Sequence, residues 1–206
     1  MQSSALPNDD GSEEKTFQTI EEALNVVEPN GVINVLSGTY PVTSQYVLSN
    51  NVTIKGRAGS IIELEASTIP FLLTGNNILD GLTITSNAAY PVEFIQVSGS
   101  NNQIINCQVY GPDQLGDSST WVVNRGFVTQ SNATNLLVRD NIFYSLRQPA
   151  YLNPGSTGII MNNVTFYTRG YVVDQAIFEF SGNSWGIPEN AVDIALLCRD
   201  NYRSSI

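Results

Sequence analysis

Arg125, Arg147 and Arg169 stand 22 residues apart, and the chain around them repeats at the same interval. The segment 137–147, LVRDNIFYSLR, lies over 159–169, IIMNNVTFYTR, with apolar facing apolar and polar facing polar at most positions. Asp140 falls on Asn162, Asn141 on Asn163, Ile142 on Val164 and Tyr144 on Phe166. A fixed period of about 20 to 50 residues marks one supersecondary unit stacked on copies of itself, since a single unit cannot bury its own apolar face. For a β-rich unit of this length the period predicts a solenoid.

Composition agrees with strands. Only 14% of the 206 residues are charged, and Asn, Ser, Thr and Gly fill the deficit. Long helices draw on Glu, Lys and Ala, whereas β-branched and turn-forming residues suit many short strands. The length suits one domain, with residues 1–15 loosely held and 16–206 forming the solenoid. Lys and Arg total 9 against 19 Asp and Glu, a net charge of −10. That balance argues against nucleic acid and anionic membrane as partners, because both reward a positive field. No apolar run is long enough to span a membrane. The opening MQSSALPNDDGSEE lacks the basic start and apolar stretch of a signal peptide, so either the protein is not exported or the sequence starts after a removed signal. Cys107 and Cys198 fall in well-separated coils and are expected as two free thiols, leaving the redox compartment open.

Thr19 and Glu22 form a capping box for a helix over 19–28, with Ile20, Ala23, Leu24 and Val27 at helical spacing and Pro29-Asn30-Gly31 as its stop. Such a helix covers the open edge of the first coil. Strand-length runs follow: 32–36, 52–55, 61–65, 71–74, 78–85 and 94–97. A polar pair recurs at Asp80-Gly81, Asn106-Cys107, Asp140-Asn141, Asn162-Asn163 and Ser181-Gly182, and such residues at one corner of each coil should stack as ladders. The interval from 106 to 140 exceeds the period by 12, so about residues 111–121, GPDQLGDSSTW, should protrude as a loop overhanging the arginines. A loop with no strand pattern of its own is functional more often than most. Segment 188–199 reads as a last coil or a capping helix; if no cap forms, the solenoid end favours self-association.

Residues 10–24, DGSEEKTFQTIEEAL, then Ile33 to Tyr40, INVLSGTY, and Val52 to Gly56, VTIKG, resemble the start of the parallel β-helix superfamily that includes pectate lyases. There a helical cap is followed by a strand ending in Gly-Thr-Tyr and another ending in Gly. The resemblance spans about residues 10–190 and implies an all-β, right-handed parallel β-helix of seven or eight coils with a short N-terminal capping helix. This fold hosts lyases, hydrolases and surface proteins without catalysis. Arg147-Gln148-Pro149 is similar to the first half of the Arg-x-Pro-x-x-Arg element of one pectate lyase family, but residue 152 is Leu, and the Trp-x-Asp-His element has no counterpart in a chain without histidine.

If Arg125, Arg147 and Arg169 stack, their like charges call for an anion or for acids such as Asp140 and Asp174. Trp121, Tyr144, Tyr151 and Tyr167 belong to the same coils, and aromatic rings beside arginines suit a glycan groove. Core packing is the competing reading for the aromatics, with Phe143, Phe166, Phe178 and Phe180 expected inside. The substrate-binding set is therefore Arg125, Arg147, Arg169, Tyr144, Tyr151, Tyr167, Trp121 and Asp174. Lack of histidine excludes Ser-His-Asp and Cys-His nucleophiles and, with two distant cysteines, argues against zinc. No cofactor is expected, and Ca2+ enters only with a lyase. Two readings stand. One is a secreted or cell-surface module, structural or glycan-binding and non-catalytic, whose partner is an acidic polysaccharide or cell-surface glycan. The other is a polysaccharide lyase acting on an acidic glycan, with Arg147 or Arg125 as base.

Overall fold

The computed structural model describes residues 11–12, 15–49, 51–186 and 195–199, so most of segments 1–15 and 188–199 lies outside the described residues. The chain winds through seven coils, and each coil adds one strand to each of three seven-stranded parallel sheets. The first sheet runs from Val32–Val35 to Ile177–Ser181, the second from Gly38–Val42 to Ser184–Trp185, and the third from Tyr46–Leu48 to Leu196–Arg199. This is the expected all-β parallel β-helix. The one α-helix among the described residues, Ile20–Val26, is shorter than the expected 19–28 but carries the capping box: Glu22 N donates to Thr19 Oγ1 at 3.1 Å and Thr19 N to Glu22 Oε2 at 3.1 Å. Ile20 and Ala23 join the core of the first coil.

Parallel register turns alternation along each strand into columns along the axis. Ile33, Ile54, Leu79, Ile104, Val138 and Ile160 form one interior column. Tyr40, Ile62, Ile84, Val109 and Phe143 form another. All are buried, and full burial of each such side chain is worth about 1.5–3 kcal/mol. A one-residue slip would turn a whole column to water, which fixes the register. In the later coils the core becomes aromatic. Tyr171, fully buried, contacts the rings of Phe127 and Phe143 at 6.5 and 6.4 Å. Phe166 is not in this core: it stands outside the second sheet, in register with Tyr144. Phe178 and Phe180 are only partly buried.

The corners explain the asparagines. Between the first and second sheets, Gly81, Asn106, Asp140, Asn162 and Gly182 all take φ between 55° and 69°, a left-handed conformation that Gly, Asn and Asp tolerate best. Asp80 is in register with Ile105, and Met161 with Ser181. The pairs Asp80-Gly81 and Ser181-Gly182 are therefore one residue out of step with the other three, because the glycines take the place of the first Asn. The next position turns inward and builds a buried ladder. Asn141 Oδ1 accepts from Cys107 N at 2.8 Å, Asn163 Oδ1 from Asn141 N at 2.9 Å, and Asn183 Oδ1 from Asn163 N at 3.0 Å. A second ladder leads into the first sheet: Asn51 donates to Asn30 at 3.0 Å, Asn101 to Asn76 at 3.0 Å and Asn135 to Asn101 at 2.7 Å.

Both cysteines are free, Cys107 buried and Cys198 exposed. Burial, the dominant cause, pushes the Cys107 thiol up to about 12. Because the thiolate is the reactive form, a disulfide reagent should label Cys198 in the native protein and Cys107 only after denaturant unfolds it. One fast thiol and one protected thiol is the expected count; two fast thiols would show that the fourth coil opens.

Candidate functional site

The turns from the second sheet to the third sheet build the site. In the fifth coil Leu146 and Gln148 flank a turn that is Arg147 alone, and in the sixth coil the turn is Arg169-Gly170. In the fourth coil the same turn is the insertion 111–124, longer than the expected 111–121. It is folded back on the solenoid. Asp117 caps a short 3-10 helix, Ser118–Thr120, by accepting from Ser119 N at 2.7 Å. That backbone amide is the main cause holding the Asp117 carboxyl below its usual range, with the Ser119 side chain next and Arg169 and Arg147 adding smaller effects. Trp121 is buried against Tyr167, ring centroids 4.8 Å apart, and donates Nε1–H to Gly116 O at 3.3 Å.

Two residues in the same place of successive coils hold the insertion from below. Ser145 and Tyr167 both adopt φ of 51° inside strands, a conformation costing roughly 1–3 kcal/mol for residues with a Cβ. Each spends its side chain on the loop: Ser145 Oγ donates to Asp113 Oδ1 at 3.0 Å and Tyr167 OH to Gln114 O at 2.9 Å. Arg147 completes the anchorage. Its backbone amide donates to Asn124 Oδ1 at 2.7 Å, and its guanidinium donates to Ser118 O and to Trp121 O, the latter at 3.3 Å. A cation on these carbonyls suits the C-terminal end of the short helix. The insertion thus overhangs Arg147, as its length implied.

The single column of three arginines does not form. Arg147 and Arg169 do align, with Leu146 in register with Thr168 and Arg169 N donating to Arg147 O at 3.1 Å. Arg125 is instead in register with Gln148 and donates Nε–H to its Oε1 at 2.9 Å. The insertion re-enters the third sheet one residue out of phase, so the sequence interval of 22 becomes a structural interval of 23.

The offset produces a concavity of about 330 Å³ rather than a stripe. Arg125, Arg147, Arg169 and Arg199 surround it, Tyr151 enters it, and Val172 and Leu197 form an apolar floor. The Tyr151 ring lies 5.3 Å from the Arg125 guanidinium carbon and 5.9 Å from that of Arg199, close enough for cation–π attraction. Its hydroxyl donates to Asp174 Oδ2 at 2.7 Å and accepts from Arg199 Nη1 at 3.3 Å. The bond to Asp174, then burial, raises the Tyr151 pKa. Burial is also the main cause lowering the pKa of Arg125, with Glu93 and Tyr151 opposing it.

Five of the eight expected residues therefore converge: Arg125, Arg147, Arg169, Tyr151 and Asp174. The other three do not. Tyr144 lies on the outer face of the second sheet, its ring stacked between Tyr110 at 4.6 Å and Phe166 at 5.0 Å, so its faces are covered by neighbours and not offered to a sugar. Trp121 and Tyr167 support the insertion. Asp140 pairs with Arg139 at 3.1 Å, on the first sheet side. Arg199 was missed, although its place in a strand pairing with Tyr171–Asp174 brings it beside Asp174; the apolar run before it was the available signal. Comparison of the chain with protein-family models, curated proteins and solved structures gave no match.

Proposed function

We propose that this parallel β-helix is a non-catalytic, secreted or surface-associated module of the pectate lyase-like kind that binds an acidic glycan in the arginine concavity. The observation that carries the reading is the gathering of four guanidinium groups and a tyrosine around an apolar floor on a chain of net charge −10. Guanidinium groups hold carboxylates through charge-assisted hydrogen bonds, and a sugar's apolar face packs on the exposed Leu197. The test is retention on immobilised acidic polysaccharide. Arg169→Gln should weaken retention about tenfold, in line with loss of one charge-assisted bond. Lys55→Gln, at an ion pair with Asp80 on the first sheet, should leave it unchanged. Equal loss in both variants would reduce the effect to overall charge and sink the proposal.

The lyase alternative is favoured by one observation, the burial that lowers the pKa of Arg125. This makes Arg125 a better base than Arg147, whose guanidinium is engaged by the insertion. In such a step the base takes the proton beside the uronate carboxylate while the C–O bond to the leaving sugar breaks. Against it, Leu152, where the lyase element has its second arginine, is fully buried and faces the core. Nor do the donors fit Ca2+: among the described residues no three acidic or thiol groups gather, and the concavity is rimmed by cations. Absorbance of an unsaturated product, formed by the wild type and abolished in Arg125→Ala, would overturn the non-catalytic reading.

A further inference from the structure

We infer that the concavity selects one singly charged sugar residue and is not a track for a run of charges, an inference that rests on the acidic-glycan reading. The first argument is charge balance. Each cation has an acid close by: Glu93 is in register with Arg125, Asp174 with Arg199, and Asp117 lies in the field of Arg147 and Arg169. Among the described residues, four arginines against three carboxylates leave one net positive charge, enough to attract one carboxylate or sulfate and too little for several.

The second argument is the neighbouring surface. A polyanion lying along the axis would meet a new coil about every 4.8 Å and would need a cation at each. The outward column of the third sheet runs Val47, Leu72, Gln96, Val128, Tyr151, Val172 and Leu197. It holds no charge of either sign along its length, and beside it the coil before Arg125 presents Glu93 in register. Along the axis the positive field therefore stops at Arg125, behind which Glu93 presents the opposite charge.

The third argument is size and shape. About 330 Å³ is at the small end of ligand pockets, which span roughly 300–1,000 Å³. Leu197, 36% exposed, supplies the apolar surface, and Val172 at 2% adds almost none. A single ring can sit there with its acidic group on the arginines, while neighbouring residues of the glycan leave over the uncharged column.

The test titrates a hexuronate monosaccharide and its linear tetramer, followed by NMR, with a neutral hexose as control. The monosaccharide should bind and the neutral hexose should not. The tetramer should gain no more than about fourfold, the statistical advantage of four equivalent residues. A tenfold rise in salt should weaken the tetramer by about tenfold or less, as for one charge contact. Asp174→Asn keeps an acceptor for Tyr151 but raises the local charge by one, and should steepen that salt dependence by up to about another tenfold. A tetramer gain of about a hundredfold with a salt effect near a thousandfold would overturn the one-charge inference while leaving glycan binding intact. Failure of both monosaccharide and tetramer to bind would overturn the glycan reading itself, and this inference with it.

Discussion

Asn141→Ala is expected to cost the solenoid about 3–5 kcal/mol. The Asn141 carboxamide serves three groups at once. Its Oδ1 accepts from Cys107 N at 2.8 Å, and its Nδ2 donates to Ile104 O and to Asn163 Oδ1, both at 2.9 Å. Asn141 is 1% exposed and Asn163 0%, so water cannot replace the side chain without opening the corner. Alanine orphans one backbone donor and one backbone acceptor, each worth about 1–3 kcal/mol when buried and unpaired. A domain has only about 5–15 kcal/mol in hand, so the denaturant midpoint should fall by a large fraction. Asn106→Gly is the matched comparison. It changes an outward corner residue at φ of 55° and loses one amide bond to Asp80, while glycine takes the left-handed conformation without strain. It should stay within about 1 kcal/mol of the wild type. An Asn141→Ala loss as small as that would show that the ladder only decorates a corner held by the sheets.

These ladders also show why some of the fold was legible in the sequence and some was not. The period of 22 is legible because each coil must present the same three sheets and corners, and Asn, Asp and Gly best suit the left-handed corner between the first and second sheets. The exact register was harder, since polarity alone does not tell which of two adjacent polar residues turns inward. Asp80-Gly81 looks like Asn106-Cys107, yet Gly81 aligns with Asn106 and the buried step is taken by Leu82 beside Cys107. The stretch 78–85 reads as one strand for the same reason, although Gly81 at φ of 69° breaks it into Ile78–Asp80 and Thr83–Ser86. The site follows this pattern. Arg147 and Arg169 share a corner because no residues are inserted between their coils, so counting places them correctly. Arg125 follows the insertion, where counting loses phase. Tyr144 and Phe166 have alternation compatible with either face, and the choice is made by the adjacent Phe143 and Thr165, which point inward in register. Arg199 belongs to a coil entered through residues that break the period.

Trp121→Ala is expected to release the insertion without unfolding the solenoid, and in doing so to weaken glycan binding. Trp121 is 7% exposed but is not part of the main apolar core, which continues past it through Phe127 and Phe143. Its contacts are Tyr167 and Gly116 O, and its own carbonyl accepts from Arg147. Truncating a buried Trp removes about 3–5 kcal/mol, and here that loss falls on the opening of 111–124. Amide exchange should therefore quicken by a factor on the order of 10² to 10³ at Val122 and Ser119, whose amides donate to Gln114 Oε1 at 2.6 Å and to Asp117 Oδ1 at 2.7 Å. The global denaturant midpoint should hardly move, because the strands on either side keep their ladders. Binding should weaken because the Arg147 guanidinium takes its position from the insertion through Ser118 O and Trp121 O. Trp121→Phe retains a ring against Tyr167 and loses only the bond to Gly116, so about 1 kcal/mol of local protection is the expected cost. A Trp121→Ala protein that loses several kcal/mol of global stability while keeping slow exchange at Val122 would place Trp121 in the core. The insertion would then be a rigid part of the solenoid rather than a separately held wall of the site.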